Sequence, residues 1–165
     1  MVSNFNQEEK MDIKIVELRP MKFIGLEYYG ENKNNEISEM WGKFMQVANS
    51  VPSRTNNQNY YGVCFSNEGD THPIRYIAGL EVTSLDKIPE GMKGKSIDSG
   101  KYAVFTHQGL LHNLKETYDH IYGKWIPEAN LTPVAGLDGL DFELYDDRFI
   151  PDSPDSEFDI YVKIK

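Results

Sequence analysis

Two stretches of the chain, Lys22-Phe23-Ile24-Gly25-Leu26-Glu27-Tyr28-Tyr29-Gly30 and Lys101-Tyr102-Ala103-Val104-Phe105-Thr106-His107-Gln108-Gly109, run from a lysine to a glycine through a strand-like pattern and match without a gap. Each opens the same succession of elements. After the first, Ile37, Met40, Trp41, Phe44, Met45 and Ala48 fall on one helical face, which Asn35 can cap and beyond which Pro52 lies. After the second, Leu111, Leu114, Tyr118, Ile121 and Trp125 do the same ahead of Pro127. Two β-type runs follow each helix: Tyr60 to Ser66 and Ile74 to Val82 around the turn Asn67-Glu68-Gly69-Asp70, then Asp141 to Asp147 and Glu157 to Ile164. One βαββ unit cannot cover its own sheet edge and apolar face, whereas two can share a sheet and bury both. The expected fold is therefore α+β, with duplicated βαββ repeats, about residues 20–82 and 101–164, forming an antiparallel sheet with helices on one face and a ligand cleft on the other.

Outside the repeats the pattern is weaker. Residues 1–10 lack periodicity and read as a loose N-terminal tail, and residues 11–165 read as a single domain, the size that 165 residues with 39% hydrophobic content supports. Ile13 to Leu26 read as one bent or interrupted strand, broken at Arg19-Pro20, and Ser84 to Gly100, with Pro89, Gly91 and Gly94, as a linker between the halves. Seventeen basic against 26 acidic residues give a net charge of −9, which opposes nucleic acid as a partner, because affinity for phosphate backbones comes from clustered Lys and Arg. Cys64 is the only cysteine, so there is no disulfide framework, and with no export signal and no transmembrane stretch the expected compartment is the cytoplasm, with no membrane partner.

At Gly100-Lys101-Tyr102-Ala103-Val104, at Tyr76-Ile77-Ala78-Gly79-Leu80-Glu81-Val82, and above all at Phe142-Glu143-Leu144-Tyr145 followed by Phe158-Asp159-Ile160-Tyr161-Val162-Lys163-Ile164, the chain resembles the GyrI-like family of small-molecule-binding domains. That family includes effector-binding domains of AraC-type and MerR-type multidrug-responsive regulators, stand-alone proteins similar to the DNA gyrase inhibitory protein, and hydrolases of cyclopropane toxins. The resemblance implies binding of amphipathic, cationic or planar aromatic small molecules, with Glu143 as the residue facing a lipophilic cation. It leaves two alternatives, a hydrolase of strained electrophiles and a protein-interaction role such as DNA gyrase inhibition. The repeat begins within about twenty residues of Met1, so the sequence is expected to resemble the stand-alone members.

The residues themselves support a pocket reading. On strand period 2, Glu143 and Tyr145 share one face while Phe142 and Leu144 share the other, which sets a carboxylate beside an aromatic ring. If Phe142 and Leu144 pack on the helices, Glu143 and Tyr145 line the opposite, concave side. Tyr61 matches Tyr145 in the hairpin of the other half, Tyr102 lies on a further strand, Glu81 ends the first-half hairpin and offers a second carboxylate, and Trp41 and Trp125 are aromatic candidates for the cleft wall. His72, His107, His112 and His120 form no ligand spacing, Cys64 reads as a small core residue, and no phosphate-cradling glycine motif occurs, so neither metal nor cofactor is expected.

Overall fold

The computed structural model describes residues 13–165, and the tail expected at residues 1–10 lies outside the described residues. Eight strands, β1 (Lys14–Leu18), β2 (Met21–Gly30), β3 (Tyr60–Phe65), β4 (Ile74–Val82), β5 (Lys93–Ile97), β6 (Gly100–Gln108), β7 (Leu140–Tyr145) and β8 (Glu157–Ile164), form one sheet in the order β1-β6-β8-β7-β3-β4-β2-β5. Every pairing is antiparallel. Helix α1 (Glu36–Val47) crosses the first half. In the second half, α2 (Leu114–His120) runs without a break into a π-helical turn, Ile121–Trp125, and a last α-helical turn, α3 (Ile126–Glu128). Among the described residues no helix is long and apolar enough to cross a membrane.

The repeat read from the sequence is the symmetry of the sheet. Opposite residues form one continuous row, Leu26–Ala78–Gly62–Glu143–Ile160–Phe105, across β2, β4, β3, β7, β8 and β6. Leu26 and Phe105 are equivalent positions of the matched stretches, so a pseudo-twofold axis passes between the paired residues Gly62 and Glu143. One half supplies a glycine there and the other a carboxylate.

Of the two readings of Ile13 to Leu26, bent or interrupted, the structure has the interrupted one, and the two pieces part company: β1 pairs with β6 of the second half, while β2 lies between β4 and β5. The break falls at Arg19-Pro20, where proline has no N–H to carry a ladder onward. The presumed linker also contains a strand, β5, which pairs with β2 of the first half. Each half thus sends its leading strand to the outer edge of the other. Lys-Gly-Lys-Ser-Ile carries no apolar alternation because β5 is an edge, with only Ile97 of the strand buried.

Both faces of the sheet are packed. On one, α1 sets Met40, Phe44 and Ala48 against Ile24, Tyr76, Ala78 and Leu80, and α2 with its extension sets Ile121 and Ile126 against Ala103, Phe105, Phe158 and Ile160. Met45, expected on the apolar face of α1, is 52% exposed. The Asn35 side chain makes no cap; Asn32 Oδ1 instead accepts from the Ile37 N–H at 3.0 Å. The face away from the helices holds its own cluster, in which Phe23, Tyr61, Tyr102 and Phe142 pack with Met21, Val63, Ile77 and Ile97.

Candidate functional site

Glu143 stands at the centre of the sheet, 6% exposed, and among the described residues its carboxylate accepts from three phenols. Tyr76 and Tyr145 donate to Oε1 at 2.7 and 2.8 Å, and Tyr118 donates to Oε2 at 2.7 Å. Tyr76 comes from β4, Tyr145 from β7 itself, and Tyr118 from α2, so three elements converge on one acid. Trp41 of α1 extends the arrangement: its Nε1 donates to the Tyr76 hydroxyl at 3.0 Å and its ring meets Tyr145 edge to face at 5.5 Å. The space for this cluster exists because Gly62 has no side chain. A Cβ there would overlap the Tyr76 hydroxyl and come 2.7 Å from Glu143 Oε1.

Burial is the dominant influence on the acid and raises its pKa, opposed by the three phenol hydrogen bonds. The same burial, with the charge of Glu143 beside them, pushes Tyr76, Tyr118 and Tyr145 well above the ordinary phenol range, so they stay protonated as donors. His107 lies nearby as an anchor of the helix start, its Nε2 3.0 Å from the Leu110 carbonyl oxygen and its Nδ1 2.7 Å from Thr117 Oγ1. The site is thus a buried carboxylate lined with aromatic rings, with no lysine or arginine among the described residues bonded to it.

The face of the sheet is the main correction. Glu143 and Tyr145 lie under the helices, and Phe142 and Leu144 point to the opposite face, the reverse of the expected assignment. Trp41 joins them. Tyr61 and Tyr102 do not: they are 2% and 0% exposed in the aromatic cluster beyond the sheet, where Phe142 packs between Tyr61 and Tyr102 with centroid distances of 6.1 and 5.6 Å. That cluster fills the face where the cleft was expected. Glu81 is on that same side, 2% exposed, paired with Arg19 at 2.8 Å and accepting from Asn57 at 2.9 Å. Trp125 stacks on Phe105, two strands from Glu143. Tyr76 and Tyr118 lie beyond the residues that the sequence pattern points to, because each also fits an apolar core pattern.

A second acid shares the helix side of β7. Asp141, two residues before Glu143, accepts from Tyr122, one helical turn after Tyr118, at 2.8 Å. Burial and the charge of Glu143 push Asp141 up to about 7 against the hydrogen bond from Tyr122. An acid whose folded pKa lies above its unfolded value leaves stability intact at low pH and lowers it as pH rises between the two values, here from about 4 to about 7. Asp141→Asn should therefore melt close to wild type at pH 4 and several degrees above it at pH 8, because the amide oxygen keeps the Tyr122 bond without the charge. Melting curves of both proteins that stay parallel across this range would contradict that.

Geometry of this kind, two βαββ halves sharing a sheet with a buried acid and aromatics under the helices, defines a small-molecule-binding domain. The chain belongs to the GyrI-like family: the model of the GyrI-like small molecule binding domain matches residues 11–165. It is 35% identical over 156 residues to the transcriptional regulator BrlR of Pseudomonas aeruginosa, covering 93% of this chain and 56% of the regulator. The chain thus spans a little over half the length of that relative. Among solved structures, SAV2435 bound to tetraphenylphosphonium superposes with a TM-score of 0.75 at 18% identity, over 94% of each chain. The EcmrR C-terminal domain superposes with a TM-score of 0.69 at 13% identity, over 94% of this chain and 98% of that one. These two likenesses are of fold.

Proposed function

We propose that this domain binds lipophilic cations, with planar or propeller-shaped aromatic groups, at Glu143 between α1 and α2, as a drug- or toxin-binding module of the cytoplasm. The observation that carries the reading is the Glu143 carboxylate, buried on the pseudo-twofold axis and held by phenols, with no basic side chain among the described residues bonded to it. A buried acid without a bonded counter-charge costs desolvation energy that an arriving cation offsets, while Trp41 and Tyr145 offer ring faces and edges to its aromatic groups. Both oxygens of the carboxylate already accept, which suits holding a charge better than activating water in a hydrolase. The tetraphenylphosphonium complex of SAV2435, a protein of the same fold, supports the choice of ligand class. The −9 charge argues against nucleic acid as a partner of this segment.

A ligand reaching Glu143 must move at least one of the phenols, and with it the environment of Trp41. Titration with tetraphenylphosphonium, followed by tryptophan fluorescence, should give a saturable change that Trp41→Phe abolishes, although Trp125 remains. A saturable signal retained in Trp41→Phe, or no saturation, would count against this location.

A further inference from the structure

The two carboxylates of β7 do not have the same surroundings. Tyr118 and Tyr122 lie one turn apart on the helical segment, about 6 Å along its axis, and Glu143 and Asp141 lie two residues apart on the strand, about 6.5 Å. The spacings match, so two phenol–carboxylate pairs stand side by side, at 2.7 Å and 2.8 Å. The first pair is closed, since both oxygens of Glu143 are occupied by tyrosines. The second is open: Tyr122 is 42% exposed, and Asp141 accepts through Oδ2 only, so that Oδ1 has no side-chain donor among the described residues. Asp141 lines a groove of about 190 Å³, with Tyr122 and Cys64 beside it and the apolar Phe65, Val134 and Leu140 as walls.

An acid with one oxygen that no described side chain donates to, a phenol at its other oxygen and hydrocarbon walls around it matches an alkylammonium group, whose charge needs an anion and whose methyl or ethyl groups need apolar contact. We propose that Asp141 and Tyr122 form a second cation subsite, so that the domain takes dicationic aromatic ligands whose charges are separated by a short linker, one at Glu143 and one in the Asp141 groove. The assignment of the first charge rests on the reading of Glu143 given above. The second follows from the groove. Burial and the neighbouring Glu143 charge raise Asp141, which is the penalty a second positive charge relieves. Burial also pushes the Cys64 thiol up, which keeps this groove residue a neutral wall.

Ethidium and propidium provide the test, because they share a planar phenanthridinium and propidium adds a quaternary ammonium on a three-methylene arm. Calorimetric titration at pH 8.5, where Asp141 is ionised, should give the wild-type protein a preference for propidium of about tenfold, the scale of one partly desolvated charge pair. Asp141→Asn should reduce that ratio to near one, and Glu143→Gln should weaken both dyes while keeping the ratio. Equal affinities of wild type for the two dyes, or a ratio unchanged in Asp141→Asn, would overturn the second subsite and leave Glu143 untouched. A ratio that depends on Asp141 while Glu143→Gln changes neither dye would support the subsite and remove the reading of Glu143. Failure of wild type to bind either dye would overturn both.

Discussion

Glu143→Gln should weaken a lipophilic cation by about 1.5–3 kcal/mol, roughly 10- to 150-fold, while a neutral aromatic ligand loses little. The size follows from what the change removes: one full charge in a site that is 6% exposed, with shape left almost intact. Glutamine keeps one oxygen for the Tyr76 and Tyr145 hydroxyls, and its amide meets Tyr118, whose hydroxyl can rotate to accept. The fold should survive, and at neutral pH the variant should be as stable as wild type or more so, because the burial cost that raises the acid disappears with the charge. Calorimetry with one cationic and one neutral planar dye, together with melts of both proteins, checks all of this. Equal losses for the two dyes would indicate a shape defect, and no loss for either would mean that Glu143 is a structural acid.

Gly62→Ala should have the largest effect on stability of any single methyl addition at the site. The new Cβ would occupy the position of the Tyr76 hydroxyl, and Tyr76 is 5% exposed with Trp41 bonded behind it, so it has little room to yield. Overpacking costs about 1–3 kcal/mol, and losing the phenol's bond to a buried carboxylate costs about 1.5–3 kcal/mol, against a gain of under about 1 kcal/mol from restricting the unfolded chain. The expected result is a melting temperature lower by on the order of 10 °C, with cation binding weakened at the same time. Gly42→Ala is the matched control: it lies inside α1 with nothing within 4 Å of its added Cβ, and should be neutral or stabilising. If both variants melt alike, the glycine on the axis is not what makes room for the acid.

Much of the architecture could be read from the residues because it rests on local pattern. The matched lysine-to-glycine stretches place Leu26 and Phe105 at equivalent positions, and the ladder puts them at opposite ends of one row through Glu143. Period-2 alternation paired Glu143 with Tyr145 and helical spacing placed Trp41 toward the sheet, and those three do meet. What alternation cannot give is which side of the sheet a strand face belongs to. Both faces of this sheet are apolar and aromatic, so Phe142 with Leu144 and Glu143 with Tyr145 were equally compatible with packing under the helices. The exchange of β1 and β5 between the halves was also hidden, since it depends on long-range pairing and β5 is a polar edge. Tyr76 and Tyr118 could have been found by asking which strand and helix positions of the repeat fall beside its axis.

The most direct test of the Glu143 site is a crystal structure of the protein grown with tetraphenylphosphonium. The expected density places the phosphonium centre beside Glu143, on the helix side of the sheet, with at least one of the Tyr118 and Tyr145 hydroxyls moved off the carboxylate and a phenyl group against Trp41. A ligand seated instead on the opposite face against Tyr61 and Tyr102, with the three phenols still bonded to Glu143, would contradict it.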